Sequence, residues 1–178
     1  MKPRGLLMIE HRLIEKMLKA IDNKLVIIQE KKEVDPVLID TAVDFIKTYA
    51  DRTHHGKEEG ILFRDLEKKK MSPQDDKMMH ELIDEHTYAR KIVGEIVDAR
   101  NRYANKDASA FLSIIDTLKI LITFYHKHIK KEDMDFFPNT EKYFTDTELD
   151  TMLDEFWKFD REMIHEKYKK TVEGLESL

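Results

Sequence analysis

The sequence predicts an all-α protein: an up-down-up-down four-helix bundle with an extra C-terminal helix. Three observations carry that expectation. Five glycines and four prolines are too few to punctuate many strands, apolar residues recur at spacings of three and four, and helix-start signals cut the chain at four places.

The first segment carries Leu7, Ile14, Leu18, Ile21 and Leu25 on one stripe and runs to Asp35-Pro36, where a capping acid followed by proline opens the second. Ser72-Pro73 opens the third in the same manner, and Met79, Leu82, Ile83, His86 and Val93 form its inward stripe. Asp107 caps the fourth, whose stripe of Ile114, Leu118, Leu121 and Tyr125 leads into His128 and Glu132. Thr145 and Glu148 make a capping box ahead of the fifth. Its apolar face of Leu149, Met152, Leu153, Phe156, Phe159 and Met163, together with Trp157, reads as additional core. Short connections make consecutive long helices antiparallel neighbours. Residues 1–144 are therefore expected to form the bundle, and residues 145–178 a helix packed on the same domain.

Charge and composition exclude several classes. A net charge of −5 lacks the basic face that phosphate contacts require, so no nucleic-acid partner is expected. The lysine runs Lys68 to Lys70 and Lys127 to Lys131 read as solvated helix ends. The absence of cysteine rules out disulfides, thiolate nucleophiles and sulfur-held zinc or iron-sulfur clusters, so any metal rests on His, Glu or Asp. The apolar patch from Leu6 to Ile9 is closed by Glu10, too short for a signal peptide or a membrane span. A cytoplasmic setting is the expectation.

A histidine followed by a His-x-x-x-Glu pair occurs twice: His11 with His55 and Glu59, then His86 with His128 and Glu132. The interval from single histidine to pair is 44 residues in one copy and 42 in the other, and Phe63 and Phe136 each follow their glutamate by four. In an antiparallel hairpin, residues equally far from the turn lie at one height. The midpoint of His11 and His55 is residue 33, beside Asp35-Pro36; that of His86 and His128 is residue 107; that of Glu59 and His86 falls between Ser72 and Pro73. Three separately located turns thus bring all six side chains to one layer.

The layer reads as a metal centre. Six buried polar groups without partners, at about 1–3 kcal/mol each, would cost on the order of 10 kcal/mol, close to the whole stability of a domain. With Glu59 and Glu132 bridging two ions, each ion receives two imidazoles and two carboxylate oxygens, and a vacancy remains. Nitrogen and oxygen donors with an open position suit iron, with manganese or zinc less favoured.

At these residues the chain resembles the hemerythrin-like family, four-helix bundles with a non-haem di-iron centre, over residues 1 to about 144. The resemblance rests on His54-His55-Gly56-Lys57-Glu58-Glu59 with Phe63, on His128-Ile129-Lys130-Lys131-Glu132-Asp133 with Phe137-Pro138, and on Glu10-His11 and Glu85-His86. Oxygen-carrying members pair the third-helix histidine with a second one four residues later, and here Arg90 stands there. A set of four histidines and two glutamates looks more like the iron-sulfur repair proteins and the iron- or gas-sensing members. The repair proteins' cysteine-bearing N-terminal region has no counterpart here. Carrier-type members also use His-x-x-x-x-Asp on the fourth helix, which would select Asp133; the internal repeat and the i+4 spacing select Glu132.

Helical angles turn His80 and His126 away from the layer and put His54 about 100° from His55, in reach of an outer role. Arg90, Arg52, Tyr125 and Glu15, each near one turn from a site histidine, are candidates to hold ligands or line an access route. The resemblance implies two iron ions and a small ligand, O2, NO or peroxide, bound or sensed at an open iron position, with redox or iron state as the other sensed quantity. The alternative is a di-iron enzyme or repair protein: an oxidase, a peroxidase or an iron donor. Metal or gas binding is preferred to catalysis, no membrane partner is expected, and homo-oligomerisation is left open.

Overall fold

Asp35 and Ser72 cap the helices that follow them: the Asp35 side chain accepts from the Val37 N–H at 2.9 Å, and Ser72 Oγ from the Asp75 N–H at 3.1 Å. Before the fifth helix, Thr145 N–H donates to Glu148 Oε2 at 2.8 Å and Glu148 N–H returns to Thr145 Oγ1 at 3.3 Å, the reciprocal pattern of a capping box. Asp107 acts one step earlier than expected. It accepts from the Ser109 N–H at 2.9 Å and stabilises the turn, and the helix itself begins at Ala110.

In the computed structural model the described residues are 1–176, and the described side chains are 1–164 and 167. Helix α1 spans Pro3–Lys31. Helix α2 is composite: it starts as Pro36–Phe45, winds as π-helix over Ile46–His55 and Glu58–Phe63, and closes as Arg64–Leu66. Helix α3 spans Pro73–Ala104. Helix α4 spans Ala110–Lys131, widens into π-helix over Glu132–Phe136 and ends at Phe137–Thr140. Helix α5 spans Asp146–Glu176; residues 177 and 178 of the fifth segment lie outside the described residues. No strand occurs among the described residues, and none of their helices is long and apolar enough to cross a membrane.

Two apolar clusters stack along the bundle. One holds Ile14, Leu18 and Ile21 of α1 with Ala50, Ala89, Val93, Leu121 and Tyr125; the other holds Leu7 with Ile61, Phe63, Met79, Leu82, Phe136 and Phe156. On each of the first four helices the stripe passes from one cluster to the other through a buried polar step: His11, His54 with His55, His86, and His128 with Glu132. Burying a large apolar side chain contributes about 1.5–3 kcal/mol. The clusters can therefore hold a polar slice in place that would not assemble unaided.

Helix α5 lies against α1 and α2. Leu149, Met152, Leu153 and Phe156 are buried, as the stripe predicts, and Phe159 is half-buried. Trp157 departs from expectation. It is 43% exposed, because it sits one residue after Phe156 and so on the flank of the buried face.

Candidate metal centre

Four imidazoles in the polar slice share one arrangement: Nδ1 faces a carboxylate and Nε2 faces inward. His11 Nδ1 lies 2.7 Å from Asp133, His54 Nδ1 2.8 Å from Glu10, His86 Nδ1 2.7 Å from Glu59 and His128 Nδ1 2.8 Å from Glu85. A carboxylate on one ring nitrogen fixes the proton there and leaves the other nitrogen with a lone pair. Between the inward nitrogens stand two carboxylates of zero exposure, Glu58 and Glu132.

Their oxygens are divided between the histidines. Glu58 Oε1 lies 3.4 Å from His54 Nε2 and its Oε2 3.4 Å from His86 Nε2; Glu132 Oε2 lies 3.2 Å from His11 Nε2 and its Oε1 3.4 Å from His128 Nε2. Donor atoms about 2.0–2.2 Å from one shared cation lie about 3.0–3.5 Å from each other, so these spacings fit pairs of ligands on a common ion. Two groups of donors result, His11, His54, Glu58 and Glu132 in one and His55, His86 and His128 in the other, with all donor atoms of each group within 4.8 Å of one another. Their hydrogen-bonding capacity is unmet: both oxygens of Glu58 and Glu132, Nε2 of His86 and His128, and both nitrogens of His55 have no hydrogen-bond partner among the described residues, Asp51 standing 3.5 Å from His55 Nδ1. Eight such atoms at about 1–3 kcal/mol each make a cost comparable with the net stability of a domain. The donor set therefore fits a pair of cations.

Protonation follows the same geometry. Burial works against charging His11 and His86, but the carboxylates of Asp133 and Glu132 facing the first, and of Glu132 and Glu59 facing the second, raise both to about 10. Burial and the neighbouring rings of His86, His128 and His54 hold His55 well below its ordinary value, so it is neutral with one ring nitrogen free to bind a cation. Burial would push the Glu132 carboxyl up, yet the facing His128, His11 and His86 rings hold it well below the usual carboxylate range.

Five of the six residues picked out by spacing, His11, His55, His86, His128 and Glu132, meet in the slice; Glu59 does not. It is about one-third exposed, accepts from Arg90 Nη2 at 2.7 Å and holds the outer nitrogen of His86. Glu58 takes the inward place, and His54, expected about 100° out of line, stands beside His11 with the two Nε2 atoms 2.8 Å apart. The reason is local winding. A π-turn closes i→i+5 and takes in about one residue more than an α-turn, which narrows the angle between consecutive side chains. Over Ile46–His55 that brings His54 and His55 inward together, and Glu58, one i+4 step from His54, is the acid that follows on the inward face.

The sequence contained a signal for this register. His54, Lys57, Glu58 and Glu59 match His128, Lys131, Glu132 and Asp133 position for position, giving intervals of 43 and 42 residues from the single histidines. The outer partners repeat as well. Lys57 bonds Glu10, which holds His54; Lys131 bonds Glu85, which holds His128. In this register His55 falls opposite Ile129, so it is the residue that breaks the symmetry. Its ring stacks on His86 with centroids 3.8 Å apart and lies edge-on to His128 at 5.5 Å. Arg90, where the carrier-type resemblance would place another histidine, ties Asp51 to Glu59.

Of the remaining candidates, Tyr125 is buried and stacks on His55 at 6.1 Å, while Glu15 pairs with Arg12 at 3.2 Å and faces outward. Asp133 bonds the outer nitrogen of His11 and Arg12, so Glu132 is the carboxylate that faces the cluster. His80 is exposed, as its angle predicts. A pocket of about 220 Å³ lies beside Tyr125, walled by Ile46, Ala89 and Val93 and rimmed by Arg52 and Arg90. Tyr125, whose ring stacks on His55, forms part of its wall.

No curated protein and no solved structure matches the chain. The family model of the hemerythrin HHE cation binding domain matches residues 3–140, which takes in α1 to α4 and every residue of the slice. The chain belongs to the hemerythrin HHE cation-binding family.

Proposed function

We propose that the slice holds two non-haem iron ions bridged by Glu58 and Glu132, with His11 and His54 completing one position and His55, His86 and His128 the other. Glu59, expected among the ligands, acts in this reading as the holder of His86. The observation that carries it is the set of four Nδ1–carboxylate pairs that turn four Nε2 atoms toward two fully buried carboxylates without other partners. Imidazole and carboxylate donors without sulfur suit iron better than softer-ligand ions, with manganese and zinc as the competitors.

Counting donors, the three-histidine position has five and the two-histidine position four. An exogenous ligand would therefore be bound by the ion that His11 and His54 hold, the one with fewer protein donors. Bound iron would supply the ability to bind O2 or NO reversibly, or to report redox or iron state. The chain's residues do the rest: Glu10, Glu59, Glu85 and Asp133 orient the rings, and the two apolar clusters keep bulk water out of the slice. A cytoplasmic protein is part of this reading, since nothing in the fold depends on an oxidised cysteine pair.

Anaerobic loading with Fe(II), metal counting, and optical spectra after O2, NO and peroxide added in turn test the proposal. Two irons per chain and a spectrum reversed by removing O2 or NO are expected. Irreversible oxidation by O2 or peroxide would favour the oxidase, peroxidase or repair alternative. A protein that retains no iron would end both.

A further inference from the structure

The two halves of the centre are built alike, and they differ in what lies behind them. On the His128 side, Lys131 is 28% exposed; it pairs with Glu85 at 2.5 Å and Glu81 at 3.7 Å, both on α3. On the His54 side, Lys57 is fully buried and pairs with Glu10. Its second acid is Asp160, 2.6 Å away on α5. Helix α5, and with it Asp160, lies beyond the stretch that matches the family.

A buried ammonium needs its charge matched, and a single carboxylate shared with a histidine leaves it short. Asp160 supplies the remainder. Phe156 and Phe159 close the surroundings: the Lys57 ammonium lies 5.9 Å from the Phe156 ring centroid, and Phe159 packs so tightly on Gly56 that a Cβ there would stand 2.8 Å from the ring. Lys57 is thereby fixed in position, and with it the carboxylate of Glu10. That carboxylate's other oxygen holds His54 Nδ1 at 2.8 Å, which aims Nε2 at the slice.

We propose that Asp160 is a positioning residue for the metal centre: through Lys57 and Glu10 it fixes the His54 ring, so that helix α5 sets the affinity of the two-histidine position and not that of its neighbour. The proposal rests on the two-metal reading above for its affinity statement, and on the metal-free protein for its statement about the ring. Outer partners of ligating histidines alter metal affinity by about 10–100-fold when removed. Here the partner stands three residues away in a chain of contacts, and the lower end is expected.

The test uses the full chain with Asp160→Asn, Asp160→Glu and, as a control on docking alone, Glu155→Gln. Glu155 anchors the same helix to Arg64 through two bonds of 2.7 and 2.9 Å without touching the Lys57 chain. Two quantities are read: the stepwise Co(II) dissociation constants by anaerobic chelator competition, and the histidine ring nitrogen resonances of metal-free protein. Asp160→Asn should weaken one Co(II) about tenfold, leave the other within about twofold, and move the His54 resonances but not those of His128. Asp160→Glu should restore both readouts, and Glu155→Gln should change neither. Any other pattern overturns the proposal, including equal loss at both positions or the same loss in Glu155→Gln. A wild-type chain that takes up no Co(II) would sink the two-metal reading, and the His54 resonances would then decide the positioning role alone.

Discussion

His11 Nε2 and His54 Nε2 face each other at 2.8 Å, while the opposite nitrogen of each ring is held by a carboxylate. With both Nδ1 atoms protonated, two lone pairs meet across that gap, and only a proton or a cation between them makes the contact favourable. The metal-free chain must use protons. Against burial, Asp133, Glu132 and Glu58 raise His11 to about 10, and His86, set among Glu132, Glu59 and Glu58, is raised as far.

A pH dependence follows for the metal-free protein. Both groups have folded values above their ordinary 6.5, so between about 6.5 and 10 the folded chain binds more protons than the unfolded one. Their contribution to stability is complete below about 6.5 and is lost as pH rises through about 10. Denaturant unfolding at pH 6.5, 8 and 9.5 in the presence of a chelator should give a falling stability. Metal-loaded protein should lack that decline, because the ions replace the protons and release them on binding. A flat or rising curve for the metal-free chain would contradict the assignment.

Glu58 and Glu59 are adjacent in sequence and have opposite roles, which substitution separates. Glu58→Gln removes a charge whose two oxygens face His54 and His86, and it should abolish stable uptake of at least one ion. Glu59→Gln leaves every inward donor in place and loosens only the outer hold on His86, so both ions should bind, one of them about tenfold more weakly. Metal analysis after gel filtration reads the difference. The reverse order would return Glu59 to the position its spacing first indicated.

His55 offers a third test because Ile129 occupies the matching place in the second half. His55→Ile makes the two halves alike and replaces a ring whose nitrogens have no hydrogen bonds to lose. The ion at His86 and His128 should then weaken while the one at His11 and His54 persists. Metal-free stability should fall by less than about 1.5 kcal/mol or rise, since volume is roughly kept and unpaired polar atoms are removed. Equal weakening of both ions would mean that His55 is not a ligand of one position.

These residues also mark how far the sequence could be read. The caps at Asp35 and Ser72, the stripes, and the level meeting of His11, His86, His128 and Glu132 follow from rules that act within a few residues or from counting away from turns. The register on α2 does not, because the i+4 rule admits two adjacent pairs there and a wider turn brings both His54 and His55 to the slice. His55 and Glu59 satisfied the α spacing as well as His54 and Glu58 did. Only the lysines told them apart, and of the two Lys131 lies in a run that reads as a solvated helix end. The fully buried Lys57 became intelligible once α5 brought Asp160 to it, a contact across 103 residues that no local pattern encodes.

The same pair of lysines yields a stability contrast. Lys57→Met leaves Glu10, 5% exposed, without its cation, and breaking a buried ion pair from one side costs about 3–5 kcal/mol. Lys131→Met breaks a pair whose partners are each more than one-quarter exposed, where water and salt already screen the charges, and should cost no more than about 1 kcal/mol. Urea unfolding of the metal-free variants at one pH compares them directly. Because the Lys57 loss lies mainly in stranding Glu10, Lys57→Met combined with Glu10→Gln should recover much of it, even though His54 loses its anionic partner. A double variant as unstable as the sum of the singles would show that Lys57 acts by packing against Phe156 rather than by holding that carboxylate.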